Sequence, residues 1–153
     1  MMRLNNMEKI IRSKPCIPVT SRKLIRDRWN EILLSEQFIQ GKYVDLLETS
    51  FKSYIGTKYA IATNSGASAL EIAIRSMGLH GHGIIVGTNT FAASVSAIIR
   101  SGNRPIIVDI NEDDMCMGID QIRKCEHLHG IGAVMMVHMA GVITKSYKEI
   151  KEL

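Results

Sequence analysis

Residues 83–110 read GIIVGTNTFAASVSAIIRSGNRPIIVDI, and two short apolar runs within them bracket a helical period. IIV at 84–86 and PIIVDI at 105–110 are apolar at successive positions, as strands buried on both faces are. Between them Phe91, Val95, Ile98 and Ile99 recur at offsets of three and four, and Gly102 offers a stop. Strand, helix, strand in this order predicts a largely parallel sheet covered by helices, an α/β fold.

The same texture extends outward. Upstream, YAIAT at 59–63 predicts a strand, and Leu70, Ala73, Ile74 and Met77 predict a helix that Gly78 ends. Downstream, a short helix near IDQIRK at 119–124 is followed by a predicted strand, AVMMVHM, at 133–139. Tyr147, Ile150 and Leu153 keep helical spacing with no cap or polar tail after them, so the chain is expected to be shorter than the architecture it belongs to. Nearer the N-terminus, Ile25, Trp29, Ile32 and Leu33 predict a helix over 21–35, with Thr20 and Ser21 as capping candidates. Val44, Leu47, Phe51 and Tyr54 predict a second, closed by Gly56. The expected divisions are an N-terminal extension (1–20), a helical segment (21–57) and an α/β part (58–153).

Composition narrows the functional classes. The 153 residues, 46% of them hydrophobic, can build one ordinary core. The net charge of +4 is mild, and Arg3, Lys9, Arg12, Lys14, Arg22, Lys23, Arg26 and Arg28 are scattered without interleaved aromatics, so no nucleic-acid partner is expected. Cys16, Cys116 and Cys125 are odd in number and far apart, which argues against a disulfide framework or a zinc knuckle and for a reduced, cytoplasmic setting. The N-terminal residues lack an apolar signal core, and no run is long enough to span a bilayer; no membrane partner is expected.

Ligands of open α/β sheets bind beyond the carboxyl ends of the strands, where loops feed helix N-termini. SGASAL at 65–70 lies at such a handover. Unsatisfied first-turn amides and the positive end of the helix dipole make an anion site, where Gly66 allows close approach and Ser65 and Ser68 add hydroxyls. The plainer reading makes Ser65 an N-cap and Gly66 an easy turn residue. A Walker A loop is absent, because Gly41-Lys42 is followed by Tyr43 and Glu36 stands at the first glycine position. A dinucleotide fingerprint is absent too: Gly81 and Gly83 precede a strand, and Val86 holds the third glycine position. His80 and His82, with His127 and His129, sit in loop sequence without a third ligand, so no metal site is expected.

Three segments taken in order carry a resemblance: 41–79, containing NSGASAL; 84–110, containing TNTFAAS and PIIVDI; and VMMVHMAG at 134–141. Together they resemble the DegT/DnrJ family of pyridoxal-phosphate-dependent sugar aminotransferases, from about Arg22 onward. The resemblance implies part of the large domain of a fold-type I transferase, a mostly parallel sheet flanked by helices, with pyridoxal 5'-phosphate (PLP) as cofactor. It implies that Gly66, Ala67 and Ser68 bind the cofactor phosphate and that Phe91 stacks on its ring. Thr90 and Ser94 would lie around the cofactor, and His138 and Gly141 would lie near cofactor or substrate. Asp109 matches a structural strand-end aspartate, not the acid that pairs with the pyridine nitrogen. Two departures stand out: His82 and Gly83 replace an acidic pair, and Gly87 stands where proline is common.

The resemblance also implies partners: a sugar nucleotide, an amino-acid donor, and a second copy or a complete homologue in a dimer. Lys58, Lys124 and Lys145 match no Schiff-base lysine, and the pyridine-pairing acid, the C-terminal half of the large domain and the small domain have no counterpart. The expectation is therefore the N-terminal portion of such an enzyme, inactive as an isolated chain. Two alternatives stay open: a catalytically dead binding or interaction module of the same fold, and an unrelated α/β domain for another phosphorylated ligand.

Overall fold

The structure, a computed structural model, describes residues 14–125 and 127–153; most of the expected N-terminal extension, residues 1–13, lies outside them. The chain divides into two compact units, one ending at Ala60 and the other spanning Ile61–Leu153.

The first unit is a helix pair, α1 (Val19–Ser35) and α2 (Lys42–Ile55). α1 begins before the expected caps: Pro18 is its N-cap and Thr20 and Ser21 lie inside it. Proline's fixed φ suits a helix start, and the Pro18 carbonyl accepts the first amide bond, from Ser21 at 3.0 Å. Gly56, at φ 79°, closes α2 in the left-handed conformation, its N–H donating to Lys52 O. Glu31 of α1 pairs with Lys42 and accepts from the Tyr43 hydroxyl at 2.7 Å. Neither helix buries a residue.

The second unit is the α/β part. β1 (Gly83–Gly87) lies between β2 (Arg104–Val108) and β3 (Ile131–Met135) in a parallel sheet ordered β2-β1-β3. All five residues of β1 are buried, because a central parallel strand is covered on both faces. Its period of two sends Ile84 and Val86 to one face, with Ala97 and Ile98 of α4 (Ala92–Arg100) and Ile74 of α3 (Gly66–Ser76). Ile85 goes to the other, with Met117, Ile119 and Ile122 around α5 (Ile119–Arg123) and Ile150 of α6 (Tyr147–Lys151). The β1–β3 register slips between Gly83 and Ile84. The extra residue is Gly132, where a Cβ would sit 2.9 Å from Leu79 Cδ2 and 3.0 Å from His82 Cβ, so the bulge admits no larger side chain without movement.

Three expectations change. Residues 59–63 are not among the strands of this sheet; a strand exists only through a ladder with a neighbour, which an apolar run by itself does not supply. β3 starts earlier than AVMMVHM and stops at Met135, leaving 136–138 outside the ladder. α6 closes at Lys151, before Leu153. No helix among the described residues is long and apolar enough to cross a membrane.

Candidate functional site

The site is set by where the chain changes faces. α4, which follows β1, packs on one face of the sheet, whereas α6, which follows β3, packs on the other. The loops leaving β1 and β3 therefore part at the carboxyl edge, the kind of switch point where α/β sheets take ligands. α3 leads by a short connection into the start of β1 and packs beside α4. Its N-terminus is thereby brought to this same edge.

At that N-terminus Ser65 is an extended N-cap, and its hydroxyl oxygen accepts from the Ser68 amide at 3.2 Å. The Ser65 and Ser68 hydroxyls are 3.0 Å apart, and the Ala69 amide donates to Ser65 O at 3.0 Å. The plainer reading of the turn is met, with Ser65 as the N-cap; the cap satisfies one first-turn donor and leaves others. Among the described residues no acceptor meets the amides of Gly66 and Ala67, which an α-helix cannot satisfy internally. A Cβ built on Gly66 would meet nothing within 4 Å. The chain's own packing therefore does not demand glycine there.

Phe91 is the N-cap residue of α4, with its ring 80% exposed. Thr90 donates its hydroxyl to Ser94 Oγ at 2.8 Å, and Ser94 is buried, so the first turn of α4 is braced from within. His138 is exposed and lies beyond the end of β3, ahead of a 3-10 turn, Met139–Gly141. Its ring stands 6.1 Å from that of Tyr147. Positive φ values at Ala140 (51°) and Gly141 (83°) turn the chain sharply after it.

The loop between β2 and α5, residues 109–118, adds polar side chains. Asp109 accepts from the next amide, Ile110 N, at 2.8 Å. Asp114 accepts from Cys116 N at 2.9 Å, Lys145 N at 3.1 Å and Asn111 Nδ2 at 3.3 Å. These bonds, with that from Cys116 first, hold its carboxyl below the usual carboxylate range. Lys145 pairs with Asp113, which raises the lysine's pKa and keeps it protonated. His82 Nδ1 lies 3.0 Å from His80 O, and among the described residues no three histidine, cysteine, aspartate or glutamate side chains converge.

The model of the DegT/DnrJ/EryC1/StrS aminotransferase family matches residues 20–153. The chain belongs to this family. It is 37% identical over 122 residues to dTDP-3-amino-3,6-dideoxy-alpha-D-galactopyranose transaminase of Aneurinibacillus thermoaerophilus, covering 78% of this chain and 33% of that protein. To the GDP-perosamine synthase of Vibrio cholerae it is 29% identical over 129 residues, covering 84% and 34%. It superposes on NtdA from Bacillus subtilis, whose crystal structure holds bound cofactor PMP, with TM-score 0.81 at 29% identity, covering 89% of this chain and 32% of that one. The chain thus spans about a third of the length of these relatives.

Within this family member, Asn89 and Asp114 are the residues that reading the sequence passes over. Asn89 donates to Met115 O at 3.1 Å. Their local signal, Asn or Asp in a loop, is what ordinary turns also use, and nothing in residue order shows which distant backbone they reach.

Proposed function

We propose that this chain is the N-terminal part of the cofactor-binding domain of a PLP-dependent aminotransferase that acts on keto-sugar nucleotides with an amino acid as donor. The observation that carries this reading is the α3 N-terminus: open amides at Gly66 and Ala67 beside the Ser68 hydroxyl, at the switch-point edge of a parallel sheet. The names of the similar transaminases support the substrate class.

When bound, the cofactor supplies an aldehyde and a ring that acts as an electron sink. The chain's own residues bind and orient. Gly66 and Ala67 N–H groups and the Ser68 hydroxyl would receive the phosphate, which the helix dipole also favours. Phe91 offers its ring face for stacking, while Thr90 and Ser94 keep that turn in place. His138, exposed beyond β3, would meet substrate or cofactor at the other loop. Lys58, Lys124 and Lys145 match no Schiff-base position, and Lys145, whose pKa its pairing with Asp113 raises, is a poor nucleophile. The isolated chain therefore binds without turning over.

A second copy is the proposed partner, supported by apolar surface such as Trp29 (57% exposed) and Phe51 (53%) and by the place of β3 at the end of the sheet, with no further strand paired to it among the described residues. A cytoplasmic setting is supported by the three free cysteines.

Titration of the purified chain with PLP, followed by absorbance, tests the reading. A saturable shift that borohydride does not fix to the protein is expected, weakened in Ser68→Ala and in Gly66→Ala. The Gly66 substitution is the sharper of the two, since its added methyl meets no atom of the chain. Absence of any saturable shift would sink the cofactor reading, and amination of a keto-sugar nucleotide by this chain alone would sink the inactive one.

A further inference from the structure

The β2–α5 loop bonds to both loops that carry candidate site residues. On one side Asn89, two residues before Phe91, donates to Met115 O at 3.1 Å. On the other, the segment after His138 is fastened several times. Asp114 accepts the Lys145 amide at 3.1 Å, Thr144 donates its hydroxyl to Met117 O at 3.0 Å, and the Cys116 thiol donates to Val142 O at 3.4 Å. Asp114, Thr144 and Cys116 are all buried, so water does not readily replace these bonds. Met115, between Asp114 and Cys116, sits at φ 56°. A non-glycine residue holds that conformation only where its surroundings impose it.

We infer that residues 109–118 form a strut at the carboxyl edge of the sheet and that Asp114 is the positioning residue that fixes the His138 side of the site. Asp114 suits the task because one carboxylate satisfies two amides from different segments: Cys116 N shapes the strut itself, and Lys145 N draws in the segment that follows His138 and the sharp turn at Ala140 and Gly141. Tyr147, whose ring lies 6.1 Å from that of His138, comes two residues after Lys145, so the His138 ring resonance reports on the position of this segment. Asn89 performs the corresponding task for the Phe91 loop through a single bond. The two arms are separable, since they reach the strut through different atoms.

The role of the site rests on the proposed function, but the strut is tested without cofactor. Amide hydrogen exchange and histidine-ring NMR are recorded for the full chain and for Asp114→Ala, Asp114→Asn and Asn89→Ala. In Asp114→Ala, amides 142–147 and 116 exchange about tenfold faster or more, the scale of losing a charge-assisted bond, and the His138 ring resonance shifts while the Ile84, Val86 and Ile98 methyl signals hold. Asp114→Asn keeps one acceptor oxygen and sets an NH2 donor where the other stood, so protection returns at only one of the amides 116 and 145. Asn89→Ala loosens 88–91 and leaves 142–147 as they are. Unchanged exchange at 142–147 in Asp114→Ala overturns the inference, and so does an equal rise across the whole second unit, which marks a merely structural residue. PLP titration of the unaltered chain decides the cofactor reading separately.

Discussion

The helix pair and the α/β unit use apolar residues in opposite ways. α1 and α2 carry well-spaced apolar stripes yet bury none of them: Ile25, Trp29 and Leu33 are 49%, 57% and 46% exposed. In the second unit Ile84, Ile85, Val86 and Ile98 are at most 1% exposed. Amphipathic spacing specifies a helix and a face but not what the face meets, and a two-helix unit has too little volume to enclose its own apolar surface. The sheet differs because each face of β1 has helices assigned to it by the crossovers.

The largest test of this contrast is Ile98→Ala. Emptying a fully buried site should cost about 2–5 kcal/mol. Hydrogen exchange of β1 and α4 should register the loss, and exchange there equal to the parent's would break the comparison. Asn103→Ala comes next. Its buried amide donates to Leu79 O, Ser101 O and Ser101 Oγ and accepts from His82 N, so stranding these partners should cost about 1–3 kcal/mol in the same assay. Ser65→Ala removes the α3 cap and should cost about 1 kcal/mol, measured by urea unfolding. Leu34→Ala, at a position 85% exposed on α1, should change stability by less than about 0.5 kcal/mol.

The smallest expected effect is electrostatic and belongs to the surface of the second unit. Glu71 lies between Arg100 and Arg75, and their hydrogen bonds, Arg100 first, lower its pKa from the usual 4.5. A carboxylate with a depressed folded-state pKa stabilises fully above its unfolded value, and that contribution fades as pH falls through the depressed one. Acidification below about pH 4.5 should therefore release it. Because the group is at the surface, salt should shrink the difference between the parent and Glu71→Gln in a thermal melt.

Most helices were legible because their bonds are local. Leu70, Ala73, Ile74 and Gly78, or Val95, Ile98 and Gly102, state a period and a stop within a dozen residues. IIV was legible as a strand because continuous apolarity matches burial on both faces; PIIVDI gives a strand too, but at the end of the sheet, where Ile107 stays 56% exposed, so its apolar run overstates its burial. YAIAT carries the same apolar signal without joining the sheet, for whether such a run is a strand depends on a neighbour. At the site, the turn from Ser65 to Ser68 and the position of Phe91 were readable from order and resemblance, since cap and turn chemistry lie within four residues. The roles of Asn89, Asp114 and Thr144 were not: their partners are 26, 31 and 27 residues away.

Residue order alone thus determines the helical periods, the apolar strands, the capped turn of α3 and the kinship to a family of aminotransferases. Tertiary structure decides which strands pair, which apolar faces are covered and which loops are tied together at the sheet's carboxyl edge. Helical bonds and caps close within a few residues. Ladders and side-chain clamps bind groups that approach one another only after the crossovers have placed β1 between β2 and β3.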